Sequence, residues 1–143
     1  MNNEVNKRLD AVLADAAARL SKVSDSSRLD AEILLARTID MPRSYLFAHP
    51  EDELDERSFE RFCALLERRA DGEPMAYIMG TKEFWSRDLI VNAATLVPRP
   101  ETELLVDLAL REIPRKAEWR ILDLGTGSGA IAIALASERK LCK

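Results

Sequence analysis

Through the first half of the chain, apolar residues recur every three or four positions, the spacing of one helical face. Val5, Leu9, Val12, Leu13, Ala16, Ala17 and Leu20 form one such stripe. A second helix is expected from Ser27, whose hydroxyl suits a cap, with Asp30 favourable in the first turn. Its apolar face is Leu29, Ile33, Leu34, Ala36 and Ile39, and Met41-Pro42 ends it. A short helical turn fits around 44–48. Asp55 reads as the cap of a further helix with Phe59, Phe62, Cys63, Leu66 and Ala70 inward, and Gly72 ahead of Glu73-Pro74 stops it. Residues 1–72 thus predict a small helical bundle.

The pattern then changes. Residues 75–84 and 89–97 are rich in Ile, Val, Tyr, Phe and Trp, and the polar stretch Ser86-Arg87-Asp88 separates them, which predicts a hairpin or two extended segments. Val97-Pro98-Arg99-Pro100 does not suit a central strand, because neither proline can donate to a ladder. Pro100 fits the first turn of a helix through Leu104, Leu105, Leu108 and Ala109, with Glu101 and Glu103 at its positive end and Ile113-Pro114 closing it. Residues 119–124 read as a short strand. A glycine turn and a helix over 130–139 follow.

That last stretch holds the candidate chemistry. Ile121-Leu122-Asp123-Leu124-Gly125-Thr126-Gly127-Ser128-Gly129-Ala130 reads as strand, glycine turn and helix start, the opening unit of a nucleotide-binding sheet. Glycines at alternate positions let the backbone turn sharply and approach a ligand, and the helix N-terminus offers free N–H groups to an anionic group. Gly125-x-Gly127-x-x-Ala130 satisfies a loose dinucleotide fingerprint. Asp123-x-Gly125-x-Gly127-x-Gly129 is closer to the first motif of S-adenosylmethionine-dependent methyltransferases. The loop by itself leaves three readings open: a methyltransferase, a dinucleotide-dependent oxidoreductase, and a turn that binds nothing.

Composition narrows the partners. Charged residues make up 32% of the 143 and the net charge is −4, which argues against direct binding to nucleic acid. Two cysteines, Cys63 and Cys142, support neither a disulfide framework nor a metal pair, so a reducing cytoplasm fits. No signal peptide and no membrane span are expected. His49, the sole histidine, lies beside Pro50 without a cysteine or an acidic cluster at ligand spacing, and is read as a surface or packing residue with no metal site. Phe84 and Trp85 are read as core residues of the hairpin.

Three ordered blocks carry a resemblance. Gly72-Glu73-Pro74-Met75-Ala76-Tyr77-Ile78-Met79-Gly80, then Glu83-Phe84-Trp85, then Val97-Pro98-Arg99-Pro100-Glu101-Thr102-Glu103 resemble the HemK/PrmC family, the release-factor glutamine methyltransferases. Asp30-Ala31-Glu32-Ile33-Leu34-Leu35 is similar to that family's N-terminal bundle. The resemblance implies a helical substrate-recognition domain over 1–72 and a hairpin linker over 73–98. Residues 99–143 would begin an α/β Rossmann-like, S-adenosylmethionine-dependent methyltransferase domain.

The implied reaction moves a methyl group to the side-chain amide nitrogen (N5) of the glutamine in the Gly-Gly-Gln motif of peptide chain release factors. Gly125, Thr126, Gly127, Ser128 and Gly129 would line S-adenosyl-L-methionine, with Asp123 orienting the loop and Arg99, Thr102 and Glu103 near the cofactor pocket. The family's catalytic Asn-Pro-Pro-Tyr does not occur in this sequence, so no catalytic residue is assigned and the chain alone is expected to be inactive. A monomeric cytoplasmic protein with release factors as partners is expected. The alternatives are a noncatalytic release-factor-binding helical module and a fragment of a dinucleotide-dependent oxidoreductase.

Overall fold

A computed structural model describes residues 6–143, so Val5, expected in the first stripe, lies outside the described residues. The chain divides into two compact units, 1–78 and 79–143. The sequence placed its boundaries at 72 and 98. Met75 and Ile78 pack against the first core, whereas Phe84 and Leu89 of the hairpin sit in the second, so no separate linker forms.

The first unit is helical. Helix α1 (Leu9–Leu20), α2 (Ser27–Ile39), α3 (Arg43–Ala48) and α4 (Glu56–Ala70) appear as the spacing predicts, with boundaries shifted by a few residues. Leu9, Leu13, Ala16 and Leu20 of α1 interlock with Leu34 and Leu35 of α2 and with Phe62 and Leu66 of α4 in one core. Burying each such side chain stabilises the fold by about 1.5–3 kcal/mol. Asp55 caps α4 as expected, its carboxylate accepting the Ser58 N–H at 2.9 Å. Three local readings are corrected. The cap position of α2 is Ser26, not Ser27, and the Ser26 hydroxyl turns to Asp30. The helix ends before Met41-Pro42, at Asp40, whose left-handed φ of 55° reverses the chain. Leu29, expected on the inner face, is exposed.

Two acids are buried in this unit. Asp30 accepts from the Ser24 hydroxyl and from Arg69 Nε, both at 2.8 Å. Glu32 is held between Arg28, at 2.8 Å, and Arg43, at 2.6 Å. Burial pushes the Glu32 carboxyl up, but the bonds from Arg43 and Arg28 outweigh it and leave its pKa below the ordinary value.

The second unit opens where helix α5 (Met75–Met79) ends. Strands β1 (Thr81–Phe84) and β2 (Arg87–Ile90) then pair antiparallel, with Phe84 opposite Arg87 and Glu83 opposite Asp88. The expected extended segment from 75 is therefore half helix. The turn lies one residue earlier than expected, at Trp85-Ser86, and both residues have positive φ, 52° and 54°. That is the geometry a two-residue hairpin loop needs to match strand twist. It costs roughly 1–2 kcal/mol for each residue that is not glycine.

Helix α6 (Thr102–Glu112) and helix α7 (Ala130–Glu138) pack on the hairpin. Pro100 precedes α6 by two residues rather than opening it. Val106 is fully buried, whereas Leu104, Leu105 and Leu108, the apolar positions from which the helix was read, are exposed. The inward stripe runs instead through Val106, Ala109, Leu110 and Ile113. Arg139 joins the ends of both helices, donating through Nε to the Ile113 carbonyl at 2.7 Å and through Nη2 to the Leu110 carbonyl at 2.6 Å.

The strand expected over 119–124 is not formed as a regular element. A strand exists only against a partner. Here the partner is one residue, with the Ile121 N–H donating to the Lys143 carbonyl at 2.8 Å and the Lys143 N–H to the Trp119 carbonyl at 2.9 Å. The two bonds have the slanted pattern of parallel pairing across the α7 crossover. Leu122 and Leu124 stay 80% and 84% exposed, so this segment buries little apolar area. No helix among the described residues is long and apolar enough to cross a membrane.

Candidate functional site

The glycine turn folds as its spacing requires. Gly125, Gly127 and Gly129 have φ of 75°, 55° and 78°, a region L side chains enter only with strain. The Gly129 N–H donates to the Thr126 carbonyl at 2.8 Å and closes the turn, and Gly129 then serves as the cap position of α7. A Cβ on Gly125 would meet nothing within 4 Å, and one on Gly127 only the Gly125 carbonyl at 3.8 Å. A Cβ on Gly129 would touch the Ile133 side chain at 3.4 Å, so backbone conformation rather than crowding demands glycine at 125 and 127, where the turn faces open space. The first amides of α7 have no partner within the helix, which favours a negative group beside them.

Asp123 lies just ahead of the turn. Its Oδ2 is the one buried side-chain oxygen without a hydrogen-bond partner among the described residues. Leaving such an acceptor unmade costs about 1–3 kcal/mol, more when it is charged. The groove of about 540 Å³ that Asp123 also lines is walled mainly by apolar side chains such as Leu105, Ile121, Leu122, Ile131 and Leu135, with Cys142 and Lys143 also lining it. A carboxylate in this position is suited to a ligand that brings a hydroxyl or amine.

Asp123 and residues 125–129 are therefore one continuous loop. Arg99 precedes α6, and Thr102 and Glu103 open it. Arg99 is exposed, and its carbonyl accepts the Thr102 N–H at 3.0 Å as α6 begins. Glu103 is engaged by the hairpin, its Oε1 accepting the Trp85 N–H at 2.9 Å. The positive φ at Trp85 and Ser86 that makes this bond possible has no signature in the sequence, so sequence reading missed it.

Sequence reading also missed an acidic neighbourhood at His49. His49, Glu51 and Asp52 bring one ligand-type atom each within 4.8 Å of one another. The Asp52 carboxylate already accepts the Tyr45 hydroxyl at 2.6 Å, which raises the Tyr45 pKa, and the Tyr45 and His49 rings lie 4.4 Å apart. His49 and Glu51 are exposed and Asp52 is half-buried, just past the end of α3.

Residues 11–80 match the PrmC N-terminal domain family. The chain is 50% identical over 131 residues to a release factor glutamine methyltransferase from Escherichia coli strain K12, covering 92% of this chain and 47% of that protein. A protein of the same description from Shewanella oneidensis is 48% identical over 124 residues, 87% of this chain and 43% of the relative. One from Aliivibrio fischeri is 54% identical over 115 residues, 80% of this chain and 40% of the relative. The chain thus spans less than half the length of each of these relatives.

Proposed function

With residues 11–80 belonging to the PrmC N-terminal domain family, we propose that the chain binds S-adenosyl-L-methionine at its glycine turn and serves glutamine methylation of peptide chain release factors. The observation that carries this reading is the partnerless Asp123 Oδ2 beside three glycines of positive φ, of which Gly125 and Gly127 face open space. When bound, the cofactor supplies an electrophilic methyl group on a sulfonium sulfur. Gly125, Thr126, Gly127, Ser128 and Gly129 would hold it, the α7 N-terminus would favour its carboxylate, and Asp123 would accept from one of its donors. The unit over 79–143 is then the beginning of a Rossmann-like sheet. The parallel bonds between Ile121, Trp119 and Lys143 support this, since a strand, a crossover helix and a parallel neighbour define such a sheet.

The acceptor in this reading is the side-chain amide nitrogen of the release-factor glutamine. Its lone pair is delocalised, so the reaction depends on alignment with the methyl carbon rather than on a strong base. No residue of this chain is assigned to the transfer step. The reading also places the protein in the cytoplasm, as a monomer, with release factors as partners. Calorimetric titration with S-adenosyl-L-methionine and separately with NAD tests it. Saturable binding of the former alone supports the proposal, and binding of the latter alone, or of neither, refutes it.

A further inference from the structure

We infer that Glu103 is a positioning residue, whose carboxylate holds the Trp85–Ser86 turn and so fixes the hairpin and the segment over 92–101 that leads to α6. The hairpin is poorly equipped to hold itself. It has two strands of four residues, short of what stands alone in water. Glu83 faces Asp88 directly across it, a like-charge pair that opposes pairing. Its turn places Trp85 and Ser86 in the left-handed region with no glycine to relieve either. What holds the turn is external: Phe84 and Leu89 buried in the core with Val106, and the charge-assisted bond from the Trp85 N–H to Glu103 Oε1 at 2.9 Å.

The geometry closes a ring. Trp85 and Glu103 are 18 residues apart, and their bond ties the base of everything between them. At the other end of the hairpin the Val91 N–H donates to the Gly80 carbonyl at 3.0 Å. The segment carrying Arg99 is thereby anchored on both sides. Glu103 shares a recess with Glu83, Arg87 and Glu138. As a part of the cofactor site this role rests on the function proposed above, and it gives Glu103 an indirect share in place of contact with the cofactor.

Amide hydrogen exchange followed by NMR on the whole chain tests the tie without any ligand. Glu103→Ala should speed exchange at Trp85 and Val91 about tenfold or more, equivalent to 1.4 kcal/mol of opening free energy. Glu103→Gln, which keeps an oxygen acceptor, should retain most of that protection. Adding Trp85→Asn with Ser86→Gly to Glu103→Ala supplies a turn that needs no clamp, and should restore Val91. Unchanged Val91 protection in Glu103→Ala overturns the inference, as does a loss that the relaxed turn does not repair, including general loss of the second unit. In a chain that binds S-adenosyl-L-methionine, affinity should fall in Glu103→Ala and return with the relaxed turn. Failure to return makes Glu103 a direct contact and refutes the positioning role. Absence of binding by the unaltered chain refutes the proposed function and leaves the exchange result to decide the tie.

Discussion

Arg69 Nε donates to Asp30 Oδ2 at 2.8 Å, joining residues 39 apart in sequence, and Arg69 Nη1 donates to the Glu73 carbonyl at 3.2 Å. One guanidinium therefore links the start of α2 to the turn that follows α4. Both partners of the ion pair are largely buried, with side chains 15% and 7% exposed. Arg69→Ala would leave the Asp30 carboxylate with only hydroxyl partners, and should cost about 3 kcal/mol. Arg69→Lys should recover little, because an ammonium does not serve both acceptors with the same fork. Urea unfolding followed by far-ultraviolet circular dichroism measures both, and a midpoint unchanged by Arg69→Ala would contradict the role given to this pair.

Glu32 sets part of the acid limit of the first unit. Its folded pKa lies below the ordinary value of 4.5, because the bonds from Arg43 and Arg28 outweigh its burial. Such a group stabilises the fold fully above the unfolded value and loses that contribution as pH falls through the folded value. Stability should therefore drop as pH falls below about 4.5, and Glu32→Gln should flatten that limb while lowering stability at neutral pH. Asp10, Asp55 and Glu73 are also shifted downward by hydrogen bonds and add to the same limb. Denaturation midpoints measured across pH 3–7 check the slope.

Phe62 is the largest anchor of the helical core and is 1% exposed. Phe62→Ala should destabilise the first unit by about 3–5 kcal/mol, through lost transfer energy and the cavity left behind. Phe62→Leu should cost markedly less. Thermal unfolding of the two variants orders them, and equal melting temperatures would count against Phe62 as the core's anchor.

Gly127→Val places a branched side chain at φ 55° on the side where the turn faces open space. The second unit should stay folded while S-adenosyl-L-methionine binding weakens at least about tenfold, or 1.4 kcal/mol. Calorimetry with melting as a control separates the effects. Unchanged affinity would return the glycine turn to a purely structural part.

Where the sequence was legible, the cause was local. Asp55 announces α4 because a cap is read from its own side chain and the Ser58 amide three residues on. The glycine turn was legible because three positive φ values require three glycines. Trp85 and Ser86 adopt the same region without glycine, and that depends on Glu103 and on Phe84, which are set by tertiary contacts. Asp30 was read as an acid favourable in the first turn of a helix, and neither it nor Glu32 signals burial in the sequence. Only the approach of Arg69 and Arg43 makes them buried ones. The 119–124 strand was read from apolar content, but a ladder depends on a neighbouring main chain, and Lys143 supplies one residue of it.

The Arg139 guanidinium, bonded to the Ile113 and Leu110 carbonyls, pins the C-terminal end of α6 to the C-terminal end of α7. The glycine turn lies at the opposite end of α7, whose 9 residues rise about 1.5 Å each, so the distance is about 13 Å. Were Arg139 the pivot, the helix would act as a lever on the turn. A rotation of about 5° at that pivot would displace Gly129 by roughly 1 Å over such a length. The place of the turn is thus tied to a distant arginine as well as to the buried Ala130, Ala134 and Leu135 along the helix.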